Sequence, residues 1–145
     1  MNENIRYGLE GRTAIVTGSG SGIGRGIALE MAGAGADIVV AEFRQDSAEE
    51  TASMVRALGR RALVAVTDVT SEQSVAATMS AALQQFGAVD ILVNNVGGLG
   101  PQPKKTTIVD LSLDEWNNLL RLNLTSQFIC CRAFLTYLVG SGRHG

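Results

Sequence analysis

The sequence predicts a doubly wound α/β fold, a parallel sheet with helices on both faces, and three observations carry that prediction. Short apolar runs at residues 14–16, 36–41, 62–67 and 89–93 alternate with longer stretches whose apolar residues recur at helical spacing. The runs are predominantly apolar, as strands covered on both faces are. A glycine-rich turn, residues 17–26, leads from the first run into the first helical stretch. Strands that alternate with helices become parallel neighbours through right-handed crossovers.

Each element has its own local grounds. Ala14, Ile15 and Val16 form the first strand, and Ile23, Ile27, Ala28 and Met31 mark the helix after the turn. The second strand is rich in valine and ends in Glu42. Asp46 and Glu49 have the spacing of a capping box, Ala52, Val55 and Leu58 continue the helix, and Gly59 closes it. After the third strand, Thr70 with Gln73 opens a helix whose Val75, Met79, Leu83 and Phe86 keep the spacing until Gly87. The fourth strand runs into an irregular segment, 97–111, that holds Pro101, Pro103, Lys104 and Lys105. This segment either borders a ligand mouth, since ligands of such sheets sit beyond the carboxyl ends of the strands, or is a plain surface excursion. Ser112 and Glu115 cap the last helix, which runs to about Val139. Trp116, Leu119, Leu120, Asn123, Leu124, Phe128, Cys131 and Leu135 are expected on its buried side. A crossover helix delivers the chain to another parallel strand, yet 140–145 read as a turn. Residues 1–145 are therefore expected to be the front part of a longer domain.

With 145 residues, 46% hydrophobic and 18% charged, the chain makes one domain with a substantial core. A net charge of −2 offers no field for nucleic acid, and no apolar run reaches membrane-spanning length. The first residues lack the apolar centre of a secretory signal. Cys130 and Cys131 are adjacent in a helical pattern, badly placed to bond each other and without spaced partners for a metal. The expectation is a cytoplasmic protein with reduced thiols, no metal, and neither nucleic acid nor membrane as partner.

The glycine-rich turn reads Thr-Gly-Ser-Gly-Ser-Gly-Ile-Gly-Arg-Gly. A strand that turns through glycines into a helix aims backbone N–H groups and the positive end of the helix dipole at one spot, which suits a diphosphate. Gly18, Ser19, Gly20, Ser21, Gly22, Ile23 and Gly24 are the candidate contacts. The spacing G-x-G-x-x-G fits nowhere in the turn, and no Gly-Lys-Ser/Thr closes it, which excludes a Walker-type phosphate loop. Glu42, 24 positions after Gly18, either takes the adenosine ribose hydroxyls or is merely solvated. A carboxylate there repels a 2′-phosphate and favours NAD over NADP, although Arg44 is close enough in sequence to turn toward a phosphate. At the end of the third strand, Asp68 and Val69 either meet the adenine edge or serve a turn. Asn94 and Asn95, with Gly97, end the fourth strand, where paired amides bridge neighbouring strand ends and border a ribose.

Taken together, Thr17-Gly18-x-x-x-Gly22-Ile23-Gly24 and Asn94-Asn95-Val96-Gly97 resemble two elements of the short-chain dehydrogenase/reductase family, with Val96 where alanine is customary. The resemblance extends from Leu9-Glu10-Gly11-Arg12 through the last helix. It implies a Rossmann-type sheet of order 3-2-1-4, incomplete within 1–145. It also implies hydride transfer between a nicotinamide cofactor and a small alcohol or carbonyl substrate, and a full-length homo-oligomer, dimer or tetramer, in which the last helix packs on its copy. It assigns Asp68 and Val69 to the adenine. It assigns Asn123 a catalytic role, holding a water in the proton relay to the active-site lysine; on a structural reading, the same amide ties its helix to the adjacent strand end. The family's serine and Tyr-x-x-x-Lys have no counterpart here, because four residues after Tyr7 and Tyr137 stand Gly11 and Ser141. His144 reads as a solvated loop residue. The chain is thus expected to bind cofactor at most. Two alternatives stand beside this reading: a non-catalytic NAD-binding module, and a methyltransferase using S-adenosylmethionine, against which Thr17 and the Asn-Asn-x-Gly element weigh.

Overall fold

A computed structural model describes residues 8–100 and 107–142. The expectations for Pro101, Pro103, Lys104, Lys105, Tyr7 and His144 lie outside the described residues. Four parallel strands, β1 (Thr13–Thr17), β2 (Asp37–Glu42), β3 (Ala62–Val66) and β4 (Ile91–Val93), form one sheet in the order β3-β2-β1-β4. Helices α1 (Gly22–Gly33), α2 (Gln45–Ala57) and α3 (Glu72–Phe86) make the crossovers. After β4 come a single 3₁₀ turn (Ile108–Asp110), α4 (Leu113–Leu120), a π-helical turn (Arg121–Thr125) and α5 (Ser126–Ser141).

The alternation of side chains along a strand divides the core in two. Ala14, Val16, Ile38 and Val40 face α1 and α2, where Ala28, Ala32, Ala52 and Val55 close over them. Ile15, Val39 and Ala41 face the other way, toward Met79 and Ala82 of α3 and Phe134 and Tyr137 of α5. Ile38, Val39 and Val40 are fully buried, and each such side chain contributes about 1.5–3 kcal/mol on leaving water. Small residues on α1 let the helix lie close to the sheet. That closeness is what brings its first turn against the end of β1.

Three local expectations are corrected. Helix α2 begins two residues earlier than the Asp46 capping box implies: its cap position is Arg44, with no side-chain cap bond, and the Ser47 hydroxyl donates to the Arg44 carbonyl at 3.0 Å. Helix α3 is capped by Ser71, whose hydroxyl accepts from Ser74 N at 3.3 Å, because the Thr70 N–H and hydroxyl both go to Asp68. The last helix is two helices joined by a π turn, and its buried residues are Ser126, Ile129 and Cys130. Trp116, Leu120, Leu124, Phe128 and Leu135 lie on the solvent side instead, Phe128 at 58% exposure. A π turn holds one residue more than an α turn, so the stripe that follows, with Phe128 and Leu135, is rotated from the one a continuous helix gives; Trp116 and Leu120 precede the turn, on a helix that buries no residue. By contrast, the Ser112–Glu115 capping box is present, and Gly87 ends α3 in a left-handed conformation.

Candidate functional site

The carboxyl ends of β1, β2, β3 and β4 open on one cleft of about 600 Å³, lined by Gly18, Glu42, Asp68, Val69, Asn95 and Gly97, with Phe43, Val96 and Leu122 among the apolar walls. The glycine turn is fixed to this rim from several sides. Gly18 N donates to Ala41 O at 2.8 Å, continuing the β1–β2 ladder, and has φ +64°, where a side chain would be strained. Gly24 is the tightest point: a β-carbon there would overlap the Gly18 carbonyl and lie 2.6 Å from Asn95 Nδ2. No residue larger than glycine fits without opening the turn.

Glu42 meets the turn directly. Its Oε2 accepts from Gly20 N at 3.0 Å and its Oε1 from Arg44 N at 3.2 Å, while the Arg44 guanidinium stands 4.0 Å away. A β-carbon at Gly20 would lie 2.6 Å from Glu42 Cγ, so this residue too must be small for the carboxylate to reach the turn. The acid that closes β2 and the glycine turn that follows β1 therefore meet at one corner of the cleft.

The other candidates divide by direction. The Ser19 side chain is buried and donates inward to Val16 O at 2.7 Å. Ser21, the N-cap of α1, and Ile23 are exposed, and Gly22, the first residue of the helix, has φ +54°. Asp68 Oδ1 accepts from Thr70 N and Thr70 Oγ1 at 2.9 and 2.7 Å, an Asx turn, and Val69 is packed with Val75, Ile129 and Cys130. The paired amides separate. Asn95 Nδ2 donates to Thr17 O and Gly18 O at 3.0 and 3.2 Å, whereas Asn94 Nδ2 turns to Cys131 Sγ on α5 at 3.2 Å. Asn123, in the π turn, is bonded on both sides of its amide: Oδ1 accepts from Gly98 N at 2.8 Å, and Nδ2 donates to Gly98 O at 2.8 Å and Leu119 O at 2.9 Å. A β-carbon at Gly97 would lie 2.9 Å from Asn123 Oδ1. Asn123 thereby sets where the chain leaves β4.

Some contributors were not assigned a role from the sequence. The Thr17 hydroxyl accepts from Asn95 N at 3.0 Å and joins the ends of β1 and β4; its position directly before the glycines was a signal for it. Phe43, 70% exposed on the cleft beside Glu42, and Leu122 of the π turn had no such signal. Burial pushes the Cys130 thiol up to about 11, with a smaller push from Cys131, so it stays protonated and unreactive. Among the described residues no group of side chains is arranged to hold a metal ion, and no helix is long and apolar enough to cross a membrane.

Glycines that a β-carbon would crowd, main-chain N–H groups leading into α1 and a carboxylate 3.0 Å from the Gly20 N–H fit a ligand with a diphosphate and vicinal hydroxyls. Comparison with known proteins points the same way. A short chain dehydrogenase/reductase of Aspergillus oryzae is 40% identical over 141 residues, covering 97% of this chain and 53% of that protein. The 7alpha-hydroxysteroid dehydrogenase of Escherichia coli K12 is 39% identical over 127 residues, covering 88% and 47%. The chain spans about half the length of these curated relatives. A solved 7 alpha-hydroxysteroid dehydrogenase complexed with NADH and 7-oxo glycochenodeoxycholic acid superposes with TM-score 0.84 at 35% identity, over 98% of this chain and 54% of that one. A short-chain type dehydrogenase/reductase from Mycobacterium marinum gives 0.88 at 30% identity, over 96% and 55%. The family model described as short chain dehydrogenase matches residues 12–145, and the chain belongs to that family.

Proposed function

We propose that the chain supplies the adenosine- and diphosphate-binding half of a nicotinamide-dependent oxidoreductase that moves hydride between the cofactor and an alcohol or carbonyl carbon. The observation that carries this reading is the meeting of Glu42 with Gly20, which sets a hydroxyl acceptor beside a loop of main-chain donors. The nicotinamide, when bound, supplies or accepts the hydride. This chain's residues bind and orient: the turn from Gly18 to Gly24 takes the diphosphate, Glu42 the adenosine ribose, Asp68 and Val69 the adenine edge. Asn95 holds the Gly18 carbonyl in place, and Gly97 lets a ribose approach. Asn123 acts on the site through the Gly98 backbone that it grips.

NAD is preferred to NADP on this reading, because Glu42 brings negative charge to the place where a 2′-phosphate would stand, and the one guanidinium near that carboxylate, Arg44, is 4.0 Å away and largely exposed. The relative with bound NADH supports the cofactor class. Free thiols at Cys130 and Cys131 support a cytoplasmic setting, and the exposed apolar row on α4 and α5 supports a homo-oligomer. Substrate turnover on this reading needs the family's Tyr-x-x-x-Lys, and neither tyrosine of these 145 residues has a lysine four positions on.

Titration of the chain with NADH and NADPH, followed by nicotinamide fluorescence and thermal shift, tests the proposal. NADH is expected to bind about tenfold or more tightly than NADPH, a gap of about 1.4 kcal/mol, and Glu42→Gln to narrow it. Tighter NADPH binding refutes the Glu42 assignment, and a folded chain that binds neither refutes the site.

A further inference from the structure

We propose that Arg25 is a positioning residue for the diphosphate, and that α2 controls cofactor affinity through it. The Arg25 side chain, only 21% exposed, leaves α1 and bonds three groups. Nε donates to Thr51 Oγ1 at 3.0 Å, and Nη2 donates both to Glu50 Oε2 at 2.7 Å and to the Gly20 carbonyl. Thr51 is itself fully buried and donates to Ser47 O at 3.2 Å, which anchors the guanidinium in the body of α2. Gly20 is therefore held at both ends, its N–H by Glu42 and its C=O by Arg25.

The Gly20 carbonyl and the Ser21 N–H belong to one peptide plane and point in opposite directions. Fixing that carbonyl against a cation on the α2 side fixes the direction of the Ser21 N–H. Glycine on one side of the plane makes rotation cheap, and a rotated plane would present the negative end of its dipole to the diphosphate. Arg25 prevents the rotation without touching the ligand. Lysine serves poorly here, since a single ammonium lacks the planar fork that reaches Thr51, Glu50 and Gly20 together.

The inference rests on the nucleotide reading above, and its test separates the two. Arg25→Met is expected to weaken NADH binding roughly 10–100-fold, the range for losing a hydrogen bond to a charged group, while adenosine, which lacks the diphosphate, binds within about twofold of the wild type in an NMR shift titration. Arg25→Lys should recover only part of the loss. Glu50→Ala, at a side chain 60% exposed and so harmless to folding, should weaken NADH about threefold or more and decides the matter if Arg25→Met does not fold. Variants that bind NADH like the wild type, or lose adenosine in parallel with NADH, overturn the role of Arg25 alone. A wild-type chain that does not bind NADH overturns the nucleotide reading and this inference with it.

Discussion

Asp37 and Glu42 sit at opposite ends of β2, and each accepts a backbone N–H from another segment, Asp37 from Arg61 at 2.9 Å and Glu42 from Gly20 at 3.0 Å. Their surroundings differ. The Asp37 side chain is 4% exposed and closed in by the guanidinium groups of Arg60 and Arg61 at 3.0 and 2.6 Å. Arg61 also lies over the Phe86 ring, 4.9 Å from its centroid, so the same cluster ties β2, β3 and α3 together. Glu42 has a single guanidinium, 4.0 Å away, and the cleft in front of it. One carboxylate is saturated and fixes register; the other keeps accepting capacity for something that arrives. Both rims use the same chemical group, and the supply of cations around it separates a structural acid from the one proposed to bind.

The binding rim should break first and most completely at Gly24. In Gly24→Ala the new β-carbon overlaps the Gly18 carbonyl and crowds Asn95 Nδ2, so the turn must open. NADH affinity is expected to fall more than about 100-fold, near 3 kcal/mol, in a fluorescence titration, with the α/β circular dichroism retained. Unchanged affinity would show that the turn does not shape the site.

The structural rim gives the converse result. Asp37→Asn strands two arginines beside a nearly buried amide and should cost about 2–4 kcal/mol in urea unfolding, with NADH affinity within about twofold of the wild type. The effect depends on pH in a known direction. Burial pushes the Asp37 carboxyl up, but the hydrogen bonds from the Arg61 side chain and backbone, with the charges of Arg60 and Arg61, hold it below its ordinary value. A carboxyl with a lowered native pKa stabilises fully above its unfolded value, about 3.9, and loses that contribution as pH falls through the native one. The Tm difference between wild type and Asp37→Asn should therefore be constant from pH 7 to about 5 and shrink below about pH 4. A difference that holds at pH 3 would remove the ion pairs as its cause.

The two rims were not equally legible in the sequence. The strands and the glycine turn could be read because short, mostly apolar runs and a cluster of glycines are local signals, and the relation of Glu42 to Gly18 follows from the length of one strand–helix–strand unit. The Asp37 cluster could not. Its partners are more than 20 residues away, and nothing in the spacing of Asp37, Arg60 and Arg61 distinguishes them from solvated charges. The π turn was hidden for a similar reason: it is held by Asn123 gripping the Gly98 backbone, a contact that exists only after the chain has folded. With it went the face of α5, where an unbroken 3.6-residue period turns the wrong side inward. Arg25 escaped because its acceptors, Gly20, Glu50 and Thr51, come from a loop and a second helix.

The smallest predicted effect sharpens the comparison within α1 itself. Gly26 stands two residues after Gly24 in the same helix, yet a β-carbon there meets nothing within 4 Å and its φ is an ordinary helical one. Glycine inside a helix is unfavourable relative to alanine because the unfolded chain has more backbone freedom to lose. Gly26→Ala should therefore stabilise by about 0.5–1 kcal/mol, raise Tm by roughly 2–4 °C, and leave NADH affinity unchanged. The same substitution two residues apart thus carries opposite signs, since one glycine stands against the Gly18 carbonyl and the other faces water. If Gly26→Ala instead weakens NADH binding, the functional contact of α1 extends a turn deeper than the cleft geometry places it.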